Sequence, residues 1–187
     1  MTTLMTTFAS PLGPLLLMSD GTSLIGVHSD ADKHRPAIRP DWIGDDSATP
    51  FAQTIMQLRA YFDGKLTEFS LPLAPRGTAF QMIVWRELRN IPYGQTISYA
   101  ELAQRIGRPT ASRAVGHANA RNPISIIVPC HRVIGADRSL TGYAGGLDRK
   151  QALLALESRT LCQSLGSTGS RESGRTIALG LANGIEV

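Results

Sequence analysis

Short apolar runs separated by turn-forming residues open this chain, and helical spacing dominates after them. The first 28 residues read as strands: Leu15 to Met18 and Leu24 to Val27 flank Asp20-Gly21, a turn signal between two apolar runs. Residues 29–50 are polar and Pro-rich with no period, and read as a loop. Thr49-Pro50 then predicts a helix start, a hydroxyl N-cap followed by proline at the first helical position. Phe51, Ile55, Leu58 and Phe62 share one face of that helix, and Gly64 supplies its stop. Leu66 to Pro75 reads as a linker or a last strand.

From Thr78 the pattern changes to short helices. Thr78 with Gln81 predicts a capping box, ahead of Phe80, Val84 and Leu88 on one face. Pro92-Tyr93-Gly94 is a turn. Ser98 with Glu101 predicts a second box, opening a helix that turns Leu102, Ala103 and Ile106 inward and stops at Gly107. Thr110 is the next N-cap, for a helix from Ala111 to about Ala118. Two short helices joined by a tight Gly-containing turn read as helix-turn-helix. Ala111, Ser112, Ala114, Gly116 and Ala118 make the second helix small-faced around Arg113, which suits close approach either to another helix or to a DNA groove. Gly135 to Tyr143 is compatible with a wing or hairpin, and Gly142 to Gly146 forms a loop into a helix from Leu147 to Glu157. Residues 161–187 are rich in Ser, Gly and Thr, without a period, and read as a disordered tail.

Composition narrows the class. The chain has 187 residues, enough for one ordinary domain or two small ones, and 42% hydrophobic residues, normal for a soluble protein. Its longest apolar runs are too short to span a bilayer, and no secretory signal is visible. Two cysteines, Cys130 and Cys162, do not make a disulfide framework, so the cytoplasm is the consistent compartment. The net charge of +4 hides an asymmetry: residues 1–75 carry −3 and residues 76–160 carry +7. A basic second half suggests a polyanionic partner or a solvated arginine-rich surface.

The run Val128-Pro129-Cys130-His131-Arg132 carries the candidate chemistry. Ile124 to Val128 reads as a buried strand that delivers Cys130 to its end, with Pro129 as the exit. Cysteine reacts as thiolate, which a neighbouring base can produce at neutral pH. In isolation such a pair more often describes a buried inert thiol beside an exposed histidine.

The segments Ile91-Pro-Tyr-Gly-Gln-Thr-Ile-Ser-Tyr99, Arg113-Ala-Val-Gly116, Asn122-Pro123, Val128-Pro-Cys-His-Arg-Val-Ile134 and Gly142-Tyr-Ala-Gly-Gly146 change that balance. In this order and spacing, across residues 76–157, the sequence resembles the O6-alkylguanine-DNA alkyltransferases. The resemblance implies an α+β protein in which residues 1–75 form a small ribonuclease-H-like domain of strands and helix. Residues 76–160 would form a winged-helix-like alkyltransferase domain containing the helix-turn-helix, and 161–187 the tail.

The resemblance further implies irreversible, single-turnover transfer of the alkyl group of O6-alkylguanine in double-stranded DNA to Cys130, with O4-methylthymine a poorer substrate. His131 would act through a water and be oriented by Glu157, while Asn122 braces the turn and bonds near the thiol. The base must leave the duplex to be reached: Arg113 would fill the vacated stack, and Tyr99 would rotate the nucleotide out and offer its hydroxyl to the ring. The carbonyls of Cys130 and Val133 would accept from the amino group. Tyr143 and Ala144 complete the pocket, Ala144 standing where relatives often have serine. Some relatives hold zinc near the N-terminus, but residues 1–75 contain His28 and His34 and no cysteine, so neither metal nor cofactor is expected. A cytoplasmic monomer without a membrane partner is implied. His117 reads as exposed, and Cys162 as a spectator thiol. The rival readings are a lesion-binding protein without transfer, which relatives lacking the cysteine exemplify, a thiol-sensing winged-helix regulator, and a Cys-His hydrolase.

Overall fold

The computed structural model describes residues 2–168. Strands β1 (Leu4–Ser10), β2 (Gly13–Ser19) and β3 (Leu24–Ser29) pair antiparallel in sequence order, and β4 (Ile43–Gly44) joins β1 in parallel, giving the order β3-β2-β1-β4. β1 alternates, burying Thr6 and Phe8, whereas β2 is buried continuously from Leu15 to Ser19, as a strand covered on both faces must be. The expected turn joins β2 to β3: the Asp20 carboxylate accepts from the N–H groups of Thr22 and Ser23, and Gly21 takes φ +102°.

Helix α1 (Thr49–Phe62) starts one residue earlier than the sequence suggests. Ala48 is its N-cap, without a side-chain cap bond, and Pro50 lies in the first turn. The proline fixes the backbone there and has no N–H of its own to satisfy, and Phe51 N–H bonds the Ala48 carbonyl at 2.9 Å. Residues 66–75 are mainly linker, tied to β3 where Leu24 N–H donates to the Pro72 carbonyl at 2.8 Å. Thr78 caps α2 (Ala79–Leu88) in a full capping box, with Gln81 Oε1 accepting from Thr78 N–H at 2.8 Å. Ser98 caps α3 (Tyr99–Arg105), but the Glu101 carboxylate bonds Arg105 at 2.7 Å, so the second expected box is half formed. Helix α4 (Ser112–Ala120) begins behind Ala111, not Thr110, and has no side-chain cap. Helices α3 and α4 pack together as the expected helix-turn-helix.

Three further expectations are corrected. Residues 124–128, buried except for the half-buried Ser125, turn instead of running as a strand: Ile126 sits at φ +73°, and only Ile124 bridges to β3. No strand hairpin forms a wing over residues 135–143; Gly135 N–H closes a turn onto the Ser139 carbonyl at 2.9 Å, with Arg138 at φ +65°. The last helix, α5 (Leu147–Thr168), runs through the first part of the expected tail, and the remainder, residues 169–187, lies outside the described residues.

The remaining strands among the described residues, β5 (Ile97–Ser98) and β6 (Val133–Ile134), pair in parallel, and β6 follows directly on the 3-10 turn Cys130–Arg132. One continuous core runs from Leu17, Leu24 and Val27 of the sheet through Phe51 and Leu58 of α1 to Leu88, Leu102, Val115 and Leu153. The architecture is α+β, with the sheet at the N-terminal side and helices beyond it. Among the described residues no helix is long and apolar enough to cross a membrane.

Candidate active site

Cys130, His131 and Arg132 form the 3-10 turn, and all are buried. Asn122 organises the approach to it. Its Oδ1 accepts from Ile124 N–H at 3.1 Å, while its Nδ2 donates to the Val128 carbonyl at 2.7 Å and to Cys130 Sγ at 3.1 Å. The side chain thus closes a loop across its own turn and presents a donor to the sulfur, which holds the β-branched Ile126 in the left-handed region. Burial pushes the Cys130 thiol up to about 11, against the pull of Asn122 and the Lys150 charge. At neutral pH the resting sulfur is a thiol, so a base must take its proton during reaction.

His131 is the base within reach of that turn and is fully buried. Its Nε2 donates to Glu157 Oε1 at 2.9 Å, which leaves Nδ1 as the basic nitrogen; Nδ1 is buried without a protein partner. Burial lowers the His131 pKa from 6.5, with Glu157 opposing, so the ring is neutral and can accept.

Glu157, fully buried on α5, gathers four groups from distant parts of the chain. Tyr61 hydroxyl of α1 donates to Oε1 at 2.8 Å, Gly94 N–H to Oε2 at 2.8 Å, and Arg132 Nη2 to Oε1 at 2.9 Å, beside His131. Burial would raise the carboxyl, but His131 and Arg132 more than reverse this and hold it at about 2. The anion is therefore fixed, and it fixes the ring of His131. Arg132 also donates through Nη1 to the Ile91 carbonyl at 2.6 Å, anchoring the 92–94 turn.

Of the other expected pocket residues, Tyr99 and Tyr143 lie near enough to Cys130 to feel its charge. Tyr99, half-buried at the start of α3, donates its hydroxyl to the Thr141 carbonyl at 3.0 Å. Val133 is buried, and Tyr143 and Ala144 are half-buried on the loop before α5. That loop is tied to the N-terminal part: Lys33 N–H donates to the Ala144 carbonyl at 3.3 Å, and Arg149 donates to the carbonyls of Gly145 and Leu12 and to Asp30. Lys150 is fully buried, and its ammonium donates to the carbonyls of Val133 and Thr141 at 2.6 Å each. Burial pulls it down to about 8, while Cys130 favours its charged form. Arg113 and His117 are not part of this cluster. They lie exposed with Ala114 on α4, opposite the face that buries Val115, Ala118 and Asn119.

The sequence reading missed Tyr61, Arg132 as the partner of Glu157, Lys150 and Asn119. Tyr61 falls on the same helix face as Leu58, so periodicity marks it for burial but not for a contact 96 residues away. His28 is buried against Asp32, Nδ1 to Oδ2 at 2.8 Å. Among the described residues no group of three or more His, Cys, Asp or Glu could hold a metal ion, and Cys162 is exposed and free.

The family model described as 6-O-methylguanine DNA methyltransferase, DNA binding domain, matches residues 79–159, and the same family's ribonuclease-like domain matches residues 3–75. The methylated-DNA–protein-cysteine methyltransferase of Mycobacterium leprae is 51% identical over 83% of this chain and 93% of its own. That of Methanosarcina acetivorans is 52% identical over 80% of this chain and 95% of its own. Among solved structures, the O6-methylguanine methyltransferase of Mycobacterium tuberculosis superposes with a TM-score of 0.78 at 50% identity, over 85% of this chain and 94% of that one. A crystal structure from the same organism in complex with DNA gives 0.78 at 49% identity, over 86% and 94%.

Proposed function

This chain belongs to the 6-O-methylguanine DNA methyltransferase family, and on that premise we propose how its residues carry out direct reversal of alkylation damage in DNA. The protein moves the methyl group of O6-methylguanine, and less efficiently that of O4-methylthymine, to Cys130 and acts once. The observation that carries the assignment is the fixed series Glu157–His131 beside a thiol that Asn122 holds at 3.1 Å.

Displacement at a methyl carbon needs a soft nucleophile, and thiolate is one. Neutral His131 takes the thiol proton at Nδ1 through a bridging water, and the Glu157 anion stabilises the imidazolium that results. The Cys130 sulfur then forms its bond to the alkyl carbon as the bond from carbon to O6 breaks, and the released guanine takes up one proton in place of the one that His131 removed from the thiol. The product thioether has no easy route back to thiol. Asn122 and the Lys150 ammonium favour negative charge on the sulfur as it develops.

Exposed Arg113 on α4 fits a residue that enters the stack once the base has left, and Tyr99 sits at the pocket wall where the extruded nucleotide would pass. The free thiols fit a reducing compartment, and the cytoplasm is the proposed location.

The test is mass spectrometry after mixing the protein with a duplex carrying O6-methylguanine. The expected result is one methyl group on the peptide containing Cys130 and loss of all further activity. Turnover beyond one equivalent, or transfer by Cys130→Ala, would sink the reading.

A further inference from the structure

Tyr61 brings the N-terminal half of the chain to the carboxylate that holds His131. It lies near the end of α1, within the part matched by the ribonuclease-like domain, and is fully buried. Its ring packs against those of Phe62, Phe69 and Tyr93 at centroid distances of 5.5, 5.3 and 5.9 Å. A phenylalanine would fill this aromatic cluster without placing a hydroxyl in the core. The hydroxyl donates to Glu157 Oε1 at 2.8 Å. Burial and the Glu157 charge push the phenol well above its ordinary 10, so it stays protonated and donates.

Several donors compete for that oxygen. His131 Nε2 and Arg132 Nη2 both bond Oε1 at 2.9 Å, Arg132 Nε bonds Oε2 at 3.0 Å, and Gly94 N–H bonds Oε2 at 2.8 Å. With Tyr61 that makes five donors, against about four lone-pair sites on a carboxylate, so each weakens the hold of the others. The outcome decides the state of His131. A buried histidine facing an otherwise unshared carboxylate is drawn towards the imidazolium, which is no base for the thiol. The charges of Arg132 on its own turn and Lys150 on α5 oppose that proton, and Tyr93 of the 92–94 turn faces Glu157 as a neutral phenol. Arg132 also anchors the Ile91 carbonyl and Gly94 belongs to the turn itself, so neither donor is removed without moving backbone. The Tyr61 hydroxyl differs: one oxygen can go while the ring stays in place.

Resting on the repair reading, we propose that Tyr61 is a positioning residue that limits the base strength of His131. By donating to Oε1 it takes up part of the Glu157 charge, so the imidazole stays neutral and ready to accept the thiol proton. The N-terminal half of the chain thereby sets how far towards acid pH the protein works.

The experiment compares the wild-type protein with Tyr61→Phe in two titrations. One follows the ring nitrogen resonances of His131 against pH in the protein alone. The other follows the acid limb of single-turnover transfer at saturating duplex carrying O6-methylguanine. Both midpoints are read on folded molecules, so a partly folded variant does not alter them. Without the hydroxyl Glu157 favours the imidazolium more strongly, so the ring protonates at higher pH and transfer fails sooner as pH falls. Both midpoints should therefore rise in Tyr61→Phe by about one pH unit, the lower end of what a nearby opposite charge does to a buried group. If the hydroxyl serves packing alone, stability or the maximal rate changes while the ring midpoint stays where it is, and that result overturns the proposal. A ring midpoint that rises while the transfer limb stays removes His131 as the base, and the proposal with it. Absence of any methyl on Cys130 of the wild-type protein would instead overturn the repair reading, with the ring titration still reporting on Tyr61.

Discussion

Burial sets opposite demands on the thiol and the imidazole of the candidate site. It holds the Cys130 thiol at about 11, far from thiolate at neutral pH, and keeps His131 neutral below its ordinary 6.5. The adjacent histidine does not generate a standing thiolate, as the sequence reading has it, but waits as a neutral acceptor fixed by Glu157. A pH profile separates the two cases. If His131 takes the proton during transfer, the rate should be level on the acid side of about 8, where Lys150 is half deprotonated, down through 6.5, and fall only below that. If pre-formed thiolate were the reactant, the rate would climb about tenfold per pH unit towards 11. Single-turnover rates with a methylated oligonucleotide across this range decide between them. A fall centred at or above 6.5 would also count against the neutral ring, because a lowered pKa leaves the base competent below its unfolded value.

At the scale of elements, what was legible in the sequence is what local chemistry decides. The turn at Asp20-Gly21, the capping box at Thr78 and the stops at Gly64 and Gly107 each depend on a few neighbouring residues, and each forms. The turn at residues 124–128 was not legible, because its apolar composition suits a strand, whereas Val128 N–H closes back onto the Ile124 carbonyl and the Asn122 side chain bonds forward to Val128 and Cys130. The start of α4 was also missed: Thr110 looks like a cap, yet Ala111 N–H closes a turn onto the Arg108 carbonyl at 2.9 Å and Ala111 becomes the N-cap. Cys130, His131, Glu157 and Asn122 were readable by resemblance, whereas Tyr61 and Lys150 required the fold. Gly94 shows an element acting on the site. It takes φ +72°, donates its N–H to Glu157 at 2.8 Å, and a Cβ there would strike Leu161 Cδ1. Gly107 has a similar φ of +69° with open space around it. Gly94→Ala should therefore cost about 1–3 kcal/mol and slow transfer, while Gly107→Ala should cost about 1 kcal/mol and leave the rate alone. Urea denaturation and transfer rates, measured on both variants, test the contrast.

For the whole molecule, hydrogen bonds tie the N-terminal sheet to both segments that flank the candidate site. Val27 N–H of β3 donates to the Pro123 carbonyl at 2.8 Å, and Ser125 N–H returns to the Val27 carbonyl at 3.1 Å, so the edge of the sheet pairs with the turn that Asn122 closes. The segment just after β3 reaches the other side of the pocket through Lys33 and Ala144. Arg149 completes this clamp with Nε on the Leu12 carbonyl at 3.0 Å, Nη1 on the Gly145 carbonyl at 3.3 Å and Nη2 on Asp30 at 2.6 Å. The bonds to the carbonyls matter more than the ion pair, because Asp30 is half exposed and water screens the attraction. Arg149→Met, which keeps much of the stem and removes the donors, should lower stability by about 1–3 kcal/mol and slow transfer from duplex DNA. Asp30→Asn should change stability by less than about 1 kcal/mol and leave transfer near normal. If the sheet merely accompanied the site, Arg149→Met would lose stability with an unchanged rate per folded molecule. A slowed rate in molecules that still take up one methyl to completion would instead place the loop carrying Tyr143 and Ala144 under the control of the N-terminal sheet.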